Sequence, residues 1–296
     1  MPICGNPGRN NPFLVPYNNG VHIIAHQERD VIMRTLAVTF LVFLLITSDM
    51  PVFSAEDPDW ASAINMAGRQ RMLTQRITRS FIQAGLGADT EIAREQLAHS
   101  TRLFDKQYSE LMQQPLPATI HKALEQVEVD WIEFRALASG ELARPAVAQL
   151  VALDNKLLQK FEHIVYLLEE LSGTWQGRLV NISGRQRMLS QRLAKNYMLA
   201  AAGLAGPAEQ TQMFNDRNAF RKALNTLMSE RTYSPQITGK LAEVSAQWVW
   251  VESALDMTDN SYYPIIVANA CDKILFLLES LTQMYASVEA GQAVQR

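Results

Sequence analysis

From about residue 58 onward the chain is written in a helical period. Apolar side chains return every three to four positions and alternating β-branched runs are absent, so the expectation is helix rather than strand. Breakers cut the pattern into units of similar length. A first helix is expected from about Asp59 to Leu86, stopped by Gly85 and Gly87, and a second from about Asp89 to Gln113, stopped by Pro115 and Pro117. A third runs from about Ala118 to Ala138, ahead of Ser139-Gly140, and a fourth opens near Pro145, because proline suits a first helical turn. The order then repeats: a helix ending near Gly203, one from Pro207 to about Arg231, one from Ser234-Pro235 to about Met257, and one from about Tyr263 to Ala290.

The repetition is also one of sequence. Ile64-Asn65-Met66-Ala67-Gly68-Arg69-Gln70-Arg71-Met72-Leu73-Thr74-Gln75-Arg76-Ile77 returns as Val180-Asn181-Ile182-Ser183-Gly184-Arg185-Gln186-Arg187-Met188-Leu189-Ser190-Gln191-Arg192-Leu193. Nine of the fourteen positions are identical, and they include every Arg, every Gln, the Asn and the Gly. Val127–Phe134 matches Val244–Val251 at nearly the same spacing, and Asn155–Leu158 matches Asp272–Leu275. A unit of four helices present twice predicts an all-α fold class: two tandem four-helix bundles, 56–172 and 173–296. Between Pro145 and the helix end near Gly203 the only breakers are Gly173, Gly177 and Gly184, so the bundles are expected end to end, elongated, with a continuous long helix as their joint.

At 100° per residue Met66, Gln70, Leu73 and Ile77 share one side of the first motif and should face their own bundle. Gly68, Arg71, Met72, Gln75 and Arg79 share the other. A mid-helix glycine costs about 1 kcal/mol relative to alanine, so its presence in both copies points to close approach of another helix. A helix with two such faces needs two partners, and the second is expected from another chain, as a homodimer. Pairing along this stripe would bring two Arg71 guanidiniums together, and converging cations call for an anion between them. The guanidinium fork suits planar oxyanions such as nitrate, nitrite or carboxylate. Arg187 with Gly184, Met188, Gln191 and Lys195 repeats the arrangement. The bland reading, a solvated polar face, is retained for Arg69, Arg76, Arg185 and Arg192. Met72 and Met188 also suit plain packing, and Trp131, Trp248 and Trp250 read as core aromatics.

Charge narrows the class. Lys and Arg number 27 against 30 Asp and Glu, with no long basic run, which argues against nucleic acid. Cys4 and Cys271 are far apart, and no metal-ligand spacing, cofactor motif or catalytic constellation is present, so neither enzyme nor metalloprotein is expected. Arg34, the apolar block 35–47, and Ser54-Ala55 before Glu56-Asp57 describe a cleaved signal peptide over 33–55. The block is shorter than the roughly 20 residues a span needs, and an uncleaved anchor is the competing reading. Residues 1–32, rich in Asn, Gly and Pro, read as a disordered extension ahead of a true start near Met33.

The motif resembles the P-box of the PilJ-type, or NarX-like, periplasmic sensor domain, and the resemblance covers both repeats, essentially 58–290. It implies four-helix bundles whose first helices pair across a dimer, with nitrate held by the arginine just before the methionine: Arg71 here, and Arg187 in the second copy. Sensor proteins of this kind continue into a second membrane segment and signalling modules, and neither follows here before Arg296. The expectation is therefore a periplasmic sensory or binding protein for a small anion, nitrate or nitrite, that signals through a separate membrane-bound partner. Arg71, Arg187, Gly68, Gly184, Met72, Met188, Gln75 and Gln191 are its candidate ligand-binding residues. The alternative is a ligand-free helical adaptor that binds a membrane receptor or a type IV pilus-associated protein.

Overall fold

The computed structural model describes residues 58–288, apart from 142, 231–233 and 258–262. The expected signal peptide or anchor, the N-terminal extension and Cys4 lie outside the described residues. Eight helices follow in order: α1 Trp60–Gly85, α2 Thr90–Gln113, α3 Ala118–Ala138, α4 Arg144–Ser172, α5 Trp175–Ala201, α6 Pro207–Ser229, α7 Pro235–Leu255 and α8 Pro264–Ala286. The described residues contain no strand, and the helices pack in bundles as the repeat pattern predicts. No described helix is long and apolar enough to cross a membrane.

Local chemistry sets the ends. Asp59, Thr174 and Ser234 each accept, through a side-chain oxygen, a backbone N–H three residues on, satisfying a donor the first turn leaves unpaired. Proline occupies the first turn of α4, α6, α7 and α8. Within each group of four, the first helix packs on the second and fourth, and the third on the fourth: α1 on α2 and α4 with α3 on α4, then α5 on α6 and α8 with α7 on α8. The two cores repeat a motif of aromatic stacking. Phe104 lies on Trp131 with ring centroids 3.6 Å apart, and Phe220 on Trp248 at 3.8 Å. Trp250, expected in the core, is 70 % exposed instead. Two residues on from buried Trp248 is about 200° around a helix, so both rings cannot face inward.

The junction of the repeats departs from the expectation in two ways. The joint is not a continuous helix. α4 ends at Ser172, Gly173 adopts φ 56°, and Thr174 begins α5 in extended backbone. That left-handed turn is open to glycine at little cost. It reverses the chain. α5 runs antiparallel to α4, since Asn181 near its start meets Glu169 near the end of α4 while Lys195 further along meets Asp154. After the reversal α5 runs parallel to α1, where a continuous helix would have carried it away. The second departure follows. Among the described helices α1 and α5 make the most extensive pair, so the repeats lie side by side along their motif helices rather than end to end. The register is parallel. Ile64 Cδ1 lies 2.9 Å from where a Gly177 Cβ would stand, and the motif arginines meet in the middle. Further along, Gln75 of α1 and Lys195 of α5 share Asp154.

Candidate functional site

The stripe that needed a second partner finds it within the same chain. Gly68, Arg71, Met72, Gln75 and Arg79 of α1 are all buried, as are Gly184, Arg187, Met188, Gln191 and Lys195 of α5. The surface from which a homodimer was expected is thus consumed by the other repeat. The opposite stripe behaves as the period predicts, with Gln70 donating to the carbonyl of Phe104 on α2 and Gln186 repeating this at Phe220 on α6.

At the centre of the seam the two motif arginines converge. A Cβ on Gly68 would stand 3.3 Å from Arg71 Nη2 and 3.8 Å from Arg187 Nη2, and one on Gly184 would stand 3.2 Å and 3.7 Å from Arg187 and Arg71. The glycines therefore make room for guanidinium tips, where close approach of a second backbone had been expected. Each arginine is pinned by the opposite helix. Arg71 Nη2 donates to Asn181 Oδ1 at 2.8 Å, and Arg187 Nη2 donates to Asn65 Oδ1 at 2.8 Å. Helical period alone does not give Asn65 and Asn181 this role, and their identity in both copies is the one signal of it in the sequence.

The symmetry breaks at the carboxylates. Glu279 of α8 accepts Arg187 Nη1 at 2.7 Å and is gripped by Arg69 at 2.6 and 3.1 Å. Its counterpart in the first repeat, Glu162 of α4, reaches only Arg185, at 3.8 Å. Among the described residues Arg71 makes no ion pair within 4 Å, and its Nε is buried without a hydrogen-bond partner. Burial pushes the Arg71 guanidinium down to about 10; Glu162 opposes this, while Arg185 and Arg187 add to it. Burial also lowers Arg187, opposed chiefly by Glu279. For Glu279 burial would raise the carboxyl, but Arg187 and Arg69 outweigh it and hold it below the ordinary value.

The other candidates serve the seam elsewhere. Met72 and Met188 sit in the hydrophobic core. Gln75 donates to Asp154 Oδ1 at 2.6 Å and Gln191 to the Cys271 carbonyl at 3.1 Å, one turn beyond the arginine pair. Lys195 pairs with Asp154 at 2.7 Å and Arg79 with Asp272 at 3.0 Å, each joining one repeat to the other. The flanking arginines are not a solvated face either. Arg69, Arg76 and Arg192 pair with Glu279, Asp272 and Asp216 while about one-fifth exposed or less, and only Arg185 is half exposed. No cluster of three or more metal-ligating side chains occurs among the described residues.

Two copies of one helical unit, facing each other through a buried, charged seam, define a tandem helical-bundle domain. Comparison with family profiles gives its kind: that of the type IV pili methyl-accepting chemotaxis transducer N-terminal domain, PilJ, matches residues 55–155 and again 173–260. These segments make up more than half of the chain, which belongs to the PilJ family. A sensory, signalling role goes with that membership, and domains of the family are typically periplasmic. No curated protein and no solved structure shows a detectable match.

Proposed function

We propose that this protein senses a small planar oxyanion, nitrate or nitrite, in the periplasm and reports it to a separate membrane-bound signalling partner. The ligand is held at one composite site shared by Arg71 and Arg187, not at one site per repeat. The observation that carries this reading is the convergence of two buried guanidiniums at Gly68 and Gly184, one of them without a carboxylate partner. A buried cation is costly unless it is paired. Among the described residues Arg71 has a single side-chain acceptor, the neutral Asn181, so an anion beside it gains a charge-assisted contact that none of them supplies. Trigonal oxyanions match the guanidinium fork; chloride does not. One specific observation favours the adaptor reading. Trp250 and Phe276 are exposed where the first repeat has Glu133 and Gln159, giving the second repeat an apolar surface suited to a protein partner.

Calorimetry with sodium nitrate, against sodium chloride at equal ionic strength, separates the readings. Binding should stabilise the fold by roughly 2.7 kcal/mol at a hundred times Kd. In a composite site Arg71→Ala and Arg187→Ala should each abolish binding, where independent sites would each keep half the stoichiometry. Arg71→Lys should weaken it, because an ammonium cannot reproduce the fork. Equal heats for wild type and both alanine variants would overturn the assignment, and no heat from any oxyanion would favour the adaptor.

A further inference from the structure

We propose that Glu279 is a tethered competitor for the ligand anion, a latch on α8 that binding releases; this rests on the composite-site reading above. The Glu279 carboxylate occupies the Arg187 half of the seam and there makes the charge-assisted contact an incoming oxyanion would make. The matching latch in the first repeat is undone. Glu162 stands at the corresponding position of α4, yet Arg71 is beyond ion-pair distance of it, and one Glu162 oxygen is buried without a hydrogen-bond partner. The same device is therefore present in both of its states in one molecule, made at Arg187 and unmade at Arg71.

Arg69 makes release cheap. It holds Glu279 through two hydrogen bonds independent of Arg187, so when Arg187 turns to the anion the carboxylate remains neutralised. No charge is stranded, and the large penalty for breaking a buried pair from one side is avoided. Release frees α8 from one of its ties to α5. The tie of α8 to α1 at the far end, Arg79 with Asp272, is left intact. The end of α8 that carries Glu279, also tied to α5 through Gln176 and the carbonyls of Tyr285, Ala286 and Val288, is where a partner would sense the change.

The test is titration of full-length variants with sodium nitrate. Glu279→Gln removes the competitor, and Glu162→Gln removes the same charge at the matching place, where no contact with the motif arginine is made. Glu279→Gln should tighten nitrate binding about tenfold more than Glu162→Gln does, the equivalent of one charge-assisted contact worth about 1.4 kcal/mol. Arg69→Gln should act oppositely, weakening nitrate binding, because Glu279 then has only Arg187 to pair with. A purely structural Glu279 would not give opposite signs for the two changes, and Arg69→Gln stands as the second measurement should Glu279→Gln fold poorly. Equal affinities for the Glu279 and Glu162 variants, with nitrate still bound, would overturn the latch and leave the site. No nitrate heat in wild type or in Glu279→Gln would overturn the site and the latch with it.

Discussion

Replacing Asp154 with asparagine tests the side-by-side pairing of the repeats without reference to any ligand. Asp154 of α4 is fully buried, accepts Gln75 Nε2 of α1 at 2.6 Å, and pairs with Lys195 Nζ of α5 at 2.7 Å. Lys195 is itself 2 % exposed, so the change strands a buried ammonium at the interface of the repeats. Removing one partner of such a pair costs about 3–5 kcal/mol, because the remaining charge stays desolvated. For a domain of this size each kcal/mol lowers Tm by about 2–4 °C, so the midpoint should fall by roughly 6–20 °C. The further change Lys195→Met should recover most of the loss, since it removes the stranded charge while the amide oxygen at position 154 still accepts from Gln75. Thermal unfolding followed by circular dichroism, over a hundredfold range of protein concentration, is the assay. The pair joins two parts of one chain, so the loss should not depend on concentration. A loss below about 1 kcal/mol, or one that grows on dilution, would refute intramolecular pairing through Lys195.

Two further outcomes follow, one from the seam and one from the buried carboxylates. Gly68→Leu forces a side chain into the space of two guanidinium tips; it should destabilise the fold by about 1–3 kcal/mol or more while sedimentation velocity shows an unchanged oligomeric state, and a shift in that state would place the partner helix in another chain. Glu279 and Asp130 are held below their ordinary values of 4.5 and 3.8, burial opposing in each case and Arg187 with Arg69, or Lys156 with Lys160, prevailing. Carboxyls lowered on folding contribute stability that is present above the unfolded value and lost as pH falls through the folded one. Tm should therefore decline below about pH 4.5, less steeply in Glu279→Gln than in wild type, and identical slopes would mean that Glu279 gains nothing from its arginines.

The amino-acid sequence by itself determined the elements. Apart from the joint between α4 and α5, every helix end lies within a few residues of where periodicity and breakers put it, because Pro115, Pro207, Pro235 and the glycines near helix ends act locally. It also determined which face of each motif helix meets its own bundle, since Gln70 and Gln186 obey the period, and it singled out Arg71, Arg187, Gly68 and Gly184, which do come together. It could not say what the second face of α1 meets. That depends on whether the chain reverses at Gly173-Thr174 or runs straight on, a choice between one left-handed residue and an unbroken helix that a weak local breaker does not decide. The sense of the repeat pairing, and with it Asn65 on Arg187, Asn181 on Arg71 and Lys195 on Asp154, exists only after that reversal. So does the difference between Glu279 and Glu162. Matching positions in two repeats predict matching roles, and only packing around each arginine decides which carboxylate closes on its partner.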